Sequence, residues 1–127
     1  MSRRMGFQYV VLRCVPRVDR EEFVNVGVVL YCQQAEFLEA RGHADAARIL
    51  ALDPRADIAA VESALEAIAA VCRGDRAAGD AADPPIGTRF GFVVAPRSTV
   101  VQPGPVHGGS TDDPARELDH LIDRLTG

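Results

Sequence analysis

The chain has 127 residues, room for one domain of ordinary size, and a content of 47% hydrophobic and 25% charged residues places it among globular rather than disordered proteins. Its 14 basic residues face 18 acidic ones, a net charge of -4, and neither half of the chain is basic. That balance argues against the cationic surface needed for non-specific binding to nucleic acid or to an anionic membrane, so neither is expected as a partner.

All 14 basic residues are arginine and Asn25 is the only asparagine, the composition a GC-rich genome produces. The apolar stretches fall far short of the ~20 residues of a membrane helix. The opening MSRRMGFQYVVLRCV has a basic pair and an apolar run, but Gln8 and Arg13 interrupt that run and no small-residue cleavage site follows. The expected location is cytoplasmic. Cys14, Cys32 and Cys72 form no Cys-x-x-Cys pair and are odd in number, so they are expected as free, buried thiols rather than disulfides.

Residues 6–15 are aromatic and β-branched, interrupted only by Gln8 and Arg13, which predicts a strand buried largely on both faces. Pro16 ends it. Residues 23–33 predict a second strand, with Gly27 inside it marking a bulge or a close backbone approach. The segment AEFLEAR predicts a third, shorter strand pairing back as a hairpin edge. From Asp45 the period changes. Ala47, Leu50 and Ala51 fit a short helix, then Ile58, Val61, Leu65, Ile68 and Cys72 form the apolar stripe of a longer one. Asp57 is placed to cap that helix and Gly74 to end it.

Residues 73–87 are rich in Gly, Asp, Ala and Pro and predict a flexible connection. Residues 88–95, TRFGFVVA, predict a fourth strand. Residues 96–114 hold four prolines and three glycines, which predicts a long loop with at most a short extended piece at Ser98–Val101. Asp113-Pro114 has the form of a helix start, and the final helix carries Leu118, Leu121, Ile122 and Leu125 on one face. The predicted order is β-β-β-α-α-β-α, a single α+β domain with helices packed on an antiparallel sheet of about four strands.

Chemistry-bearing residues gather in the 96–114 loop: Arg97, Ser98, Gln102, His107, Asp112 and Asp113. Loops of that length are uncommon in compact domains and tend to be functional or disordered. Ser98 with His107 and an aspartate has the residue types of a nucleophilic triad, but no Gly-x-Ser-x-Gly elbow surrounds it. His107, Asp112 and Asp113 with Glu21 or Glu22 could surround a metal ion, yet their spacing fits no established ligand pattern. Arg97 with the glycine amides could hold an anion, which Asp112 and Asp113 oppose. The bland alternative has Asp113 capping the helix and the other groups bonded internally. No metal and no cofactor are expected. His43 and His120 fall in a turn and on a polar helix face, and both are read as solvated.

A second candidate cluster is Arg13, Glu21 and Asn25. Arg13 inside a strand requires a carboxylate partner if buried, with Glu21 or Glu22 the natural one. The expected role of Asn25 is to bond backbone at the strand entrance beside Gly27.

The segments YVVLRCVPRVDREEFVNVGVVLYC and FVVAPRSTVVQPGPVHGGSTDDPARELDHLIDRL resemble, over nearly the whole chain, a bacterial family of uncharacterised proteins, the domain-of-unknown-function family numbered 3037. Its signatures are EFVNVGVVL and the stretch from Ala95 to Pro114. Its members carry threonine where this chain has Gly109. The resemblance implies a fold group without an activity, and genomic proximity to a HipA-like kinase. The expected function is therefore a small protein-interaction or accessory module with a protein partner, for which the resemblance suggests that kinase. The alternative is a metal-assisted hydrolase or phosphoryl-transfer enzyme using the 96–114 loop.

Overall fold

The computed structural model describes residues 3–96 and 99–127. Strand β1 (Met5–Cys14) leads through a 3-10 turn at Val18–Arg20 into β2 (Val24–Cys32), and a tight turn leads on to β3 (Phe37–Gly42). Helices α1 (Ala46–Leu52), α2 (Ile58–Arg73) and α3 (Ile86–Val94) follow, then β4 (Val101–Pro103), β5 (His107–Thr111) and α4 (Pro114–Thr126). The result is an α+β fold on a five-stranded antiparallel sheet in which β1 lies between β2 and the β4–β5 edge. β4 pairs with Leu12–Cys14 and β5 with Met5–Tyr9, so two short strands lie end to end along one long one.

Alternation along the strands builds a core on each face of the sheet. Val10, Leu12 and Cys14 of β1 join Ile49, Val61, Ile68, Cys72, Phe90 and Val93 in the larger core under α1, α2 and α3. Phe7 of β1 joins Val28, Leu30 and Cys32 of β2 under Leu118 and Leu121 of α4. The Gly27 region has both features the sequence suggested. Leu12 stands opposite Gly27 and Arg13 opposite Asn25, so Val26 is the extra residue of a bulge. The bulge changes which face each residue serves: Val24 and Val26 belong to the larger core, and so does Val29. Gly27 faces Gly42 across β2 and β3. A Cβ on Gly27 would come within 2.8 Å of the Arg41 carbonyl oxygen, and one on Gly42 would overlap the Val26 carbonyl. Only glycine lets these backbones meet.

Helix ends follow the sequence signals. The Asp57 carboxylate accepts from Ala60 N at 3.1 Å, and Gly74 ends α2 in the left-handed region at φ 69°. Asp113 accepts from Arg116 N at 3.1 Å, with Pro114 opening the helix. All three cysteines are free and buried. Burial pushes the Cys72 thiol up to about 12, against the smaller opposing pull of Arg89 and Arg73, and raises Cys14 for the same reason.

Four expectations need correction. Residues 88–95 are not a strand but most of α3. Their aromatic and β-branched content favours strands, but Ile86, Phe90 and Val93 recur at helical spacing and pack on the larger core, where Phe90 stacks on Tyr31 at 5.0 Å. The 96–114 segment is not irregular throughout, because β4 and β5 form within it. Its prolines are tolerated because this edge of the sheet pairs on one side only. In α1 the buried residue is Ile49, while Leu50 is 37% exposed, so the predicted face was the wrong one. Residues 76–82 form 3-10 turns started by Asp75, whose carboxylate accepts from Ala77 N at 3.0 Å. Among the described residues no helix is long and apolar enough to cross a membrane.

Candidate functional site

Residues opposite one another in an antiparallel pair share a face. Tyr9 stands opposite His107, Arg13 opposite Gln102 on one side, and Arg13 opposite Asn25 on the other. The register therefore places Arg13, Asn25, Gln102 and His107, drawn from both predicted clusters, on the face that carries α4. Tyr9 and His107 stack at 5.2 Å between ring centroids. Four residues along β1, roughly 13 Å on, the Arg13 guanidinium lies over the Phe23 ring, 4.2 Å from its centroid. α4 packs over β2 and β3 and covers Phe7 of β1, while β5 from His107 to Ser110 stays exposed and Arg13 and Gln102 are half-buried.

Around Arg13 the opening deepens into a cleft of about 370 Å³, lined by Arg13, Val15, Val18, Glu21, Phe23 and Gln102. One side of the guanidinium rests on Phe23, and a Cβ on Gly104 would come within 3.2 Å of Arg13 Cζ and Nε. A bare glycine at 104 leaves the guanidinium its room. The expected ion pair with Glu21 or Glu22 is absent among the described residues. Glu22 instead pairs at 2.6 Å with Arg20, the last residue of the 3-10 turn two positions before it. Glu21 sits in the left-handed region at φ 56°, where its amide donates to the Val18 carbonyl and closes the turn. Arg13 Nε is buried with no hydrogen-bond partner among the described residues. A donor orphaned in this way carries a desolvation cost.

Asn25 bonds backbone, as expected, but across the fold. Its amide donates to the Leu125 carbonyl at 3.1 Å, and Arg48 donates to the Thr126 carbonyl at 3.1 Å, so two side chains hold the last turn of α4. An ion pair from Arg41 to Asp119 ties the same helix to β3. Gln102 donates from its amide nitrogen to the Thr99 carbonyl at 3.0 Å, leaving its carbonyl oxygen as an acceptor.

The remaining loop candidates do not converge. Asp112 and Asp113 lie at the far end of β5 from His107, roughly 17 Å along an extended chain. Asp113 caps α4 and receives Arg116 Nε at 3.7 Å, while the Thr111 hydroxyl accepts from Asp113 N at 3.1 Å. The suggested grouping of His107, Asp112 and Asp113 with Glu21 or Glu22 on one ion is thus dispersed. Among the described residues no three His, Cys, Asp or Glu side chains come close enough to share a metal. Arg97 and Ser98 lie outside the described residues, and with them the proposed nucleophile and the loop arginine.

The outer sheet edge is partly closed. Gly104 N donates to the Val11 carbonyl and Val15 N to that of Val100, so odd-numbered residues of β1 turn their backbone groups to this edge. By alternation Gly108 and Ser110 turn theirs outward. Arg4 covers that position, donating to the Ser110 carbonyl at 2.6 Å and to its hydroxyl at 3.2 Å, while Pro103 and Pro105 bring no N–H. Tyr9, Val18, Phe23 and Gly104 were not singled out from the sequence. The available signals were two large apolar residues flanking the charged run DREE, and a glycine between two prolines.

Fold and cleft together define a small antiparallel-sheet domain with one face half covered by a helix and an unpaired arginine on the open half. Residues 9–126 match the family described as protein of unknown function (DUF3037), and the chain belongs to that family. Neither a curated protein nor a solved structure matches it.

Proposed function

We propose that the chain is a small protein-interaction or accessory module of the bacterial cytoplasm that docks a protein partner on the open β1–β4–β5 side of its sheet. The observation that carries this reading is the composition of that patch. Val18 and Phe23 are 59% and 45% exposed around an arginine with no ion pair among the described residues, and the Tyr9–His107 stack lies further along the same face. Aromatic residues and arginine are the types enriched at interface centres, where they anchor most of the affinity. A partly capped, proline-bearing edge favours the face over strand addition as the docking mode. A HipA-like kinase is the partner class that the family resemblance suggests.

The test is co-purification of the tagged chain at native expression, with bound proteins identified by mass spectrometry, beside Phe23→Ala and His107→Ala. One stoichiometric partner, with affinity reduced at least about tenfold by each replacement and the melting temperature held, supports the module. A folded wild-type chain that captures no partner, or a complex indifferent to both replacements, defeats it.

A further inference from the structure

We infer that the Arg13 cleft is a carboxylate-binding site that takes the C-terminal residue of an extended peptide. This deepens the docking reading and rests on it. Three features select that ligand.

The first is the state of the arginine. Its guanidinium lies over the Phe23 ring at 4.2 Å with the bare Cα of Gly104 close by, its Nε is buried without a partner among the described residues, and Glu22 is engaged by Arg20. A planar cation fixed in place and left unpaired matches a planar carboxylate, which accepts two parallel hydrogen bonds from one guanidinium. The second is charge. One arginine and the carboxylate of Glu21 line the cleft. With Glu21 the lining is already neutral, so a bound monoanion leaves one excess negative charge and a phosphate dianion leaves two, which favours the monoanion. The third is the remainder of the wall. Val15, Val18 and Phe23 offer an apolar surface to a side chain next to the carboxylate, and the free carbonyl oxygen of Gln102 can accept a peptide N–H. At about 370 Å³ the cleft is near the small end of ligand sites, suited to a terminal residue rather than to a nucleotide.

The test follows the Arg13 Nε–Hε signal in nitrogen-15-resolved NMR spectra of the full chain. The probes are N-acetyl-Ala-Leu with a free carboxylate, the same peptide as its C-terminal amide, and inorganic phosphate. The expected result is a saturable shift with the free acid, a response at least tenfold weaker with the amide and with phosphate, and loss of the response in Arg13→Gln. Glu21→Gln, which removes the opposing charge without touching the arginine, should tighten the free acid several-fold. That variant and the amide control decide the matter even where Arg13→Gln does not fold. No shift at Arg13 with the free acid, an equal shift with the amide, or a stronger one with phosphate overturns the assignment. A partner complex that survives alongside a negative titration overturns the carboxylate site and leaves the docking face. A positive titration without any partner complex supports the site and removes the docking reading.

Discussion

Asn25 shows how one side chain can join distant parts of this fold. Its amide bonds the Leu125 carbonyl, linking the entrance of β2 to the last turn of α4. Asn25→Ala should cost about 1 kcal/mol in urea unfolding and speed amide exchange in the final turn of the helix, while leaving the Arg13 cleft intact. Gly109 is constrained from the opposite direction. A Cβ there would lie 2.7 Å from Phe7 Cζ, so the Phe7 ring occupies the room a side chain needs. Gly109→Thr should destabilise by about 1–3 kcal/mol through overpacking, read as a lowered urea midpoint, and Phe7→Leu should recover part of the loss. Cys72 provides the pH-dependent case. Burial favours the neutral thiol, so its folded value is raised to about 12 from the ordinary 9.0. Stability from this group is fully present below pH 9 and falls as the pH rises from there toward 12, since the unfolded chain ionises first. At pH 8 the native thiol should resist iodoacetamide and react only under denaturing conditions, whereas rapid native labelling would contradict its burial.

At the scale of elements, what was legible was what local chemistry decides. The stripe from Ile58 to Cys72, the caps at Asp57 and Asp113, the terminator Gly74 and the α4 face from Leu118 to Leu125 are set by side chains within a turn or two of one another. The misread elements depend on distant partners. Residues 88–95 have strand composition, but Phe90 and Val93 meet the core of a sheet already formed by β1 and β2. The proline-rich run after them makes β4 and β5 because β1 presents an open edge. Half of the candidate site was legible in the same sense. Arg13, Glu21 and Gln102 were named from their chemistry, but their meeting in one cleft depends on the β1–β4 register, which no local pattern encodes. Leu118, fully buried on the inner side of α4, tests the helix that leaves this face half open. Leu118→Ala should cost about 2–5 kcal/mol by thermal or urea unfolding. A much smaller loss would mean that α4 is docked mainly by Asn25, Arg41 and Arg48.

For the whole molecule, the important fact is that β1 and β2 supply residues to both cores, so neither core can open while the other stays intact. The chain contains its own reporters. Of its two tyrosines, Tyr9 packs with the core under α4 and Tyr31 with the larger one. Urea titrations of Tyr9→Phe and Tyr31→Phe, each followed by the fluorescence of the remaining tyrosine, should each track far-ultraviolet circular dichroism in one coincident transition. A tyrosine signal that moves apart from the dichroism would show that the cores unfold separately.

The place of β1 between β2 and the β4–β5 edge also sets a timetable during synthesis. Its partners on that edge are encoded roughly ninety residues downstream, and at about 5–20 residues per second a ribosome needs on the order of 5–20 s to deliver them. Through that interval the nascent strand exposes an unpaired edge and the Phe7 side of its surface. Until α4 arrives, the hairpin of β1 and β2 is the part of the nascent chain most open to wrong pairing.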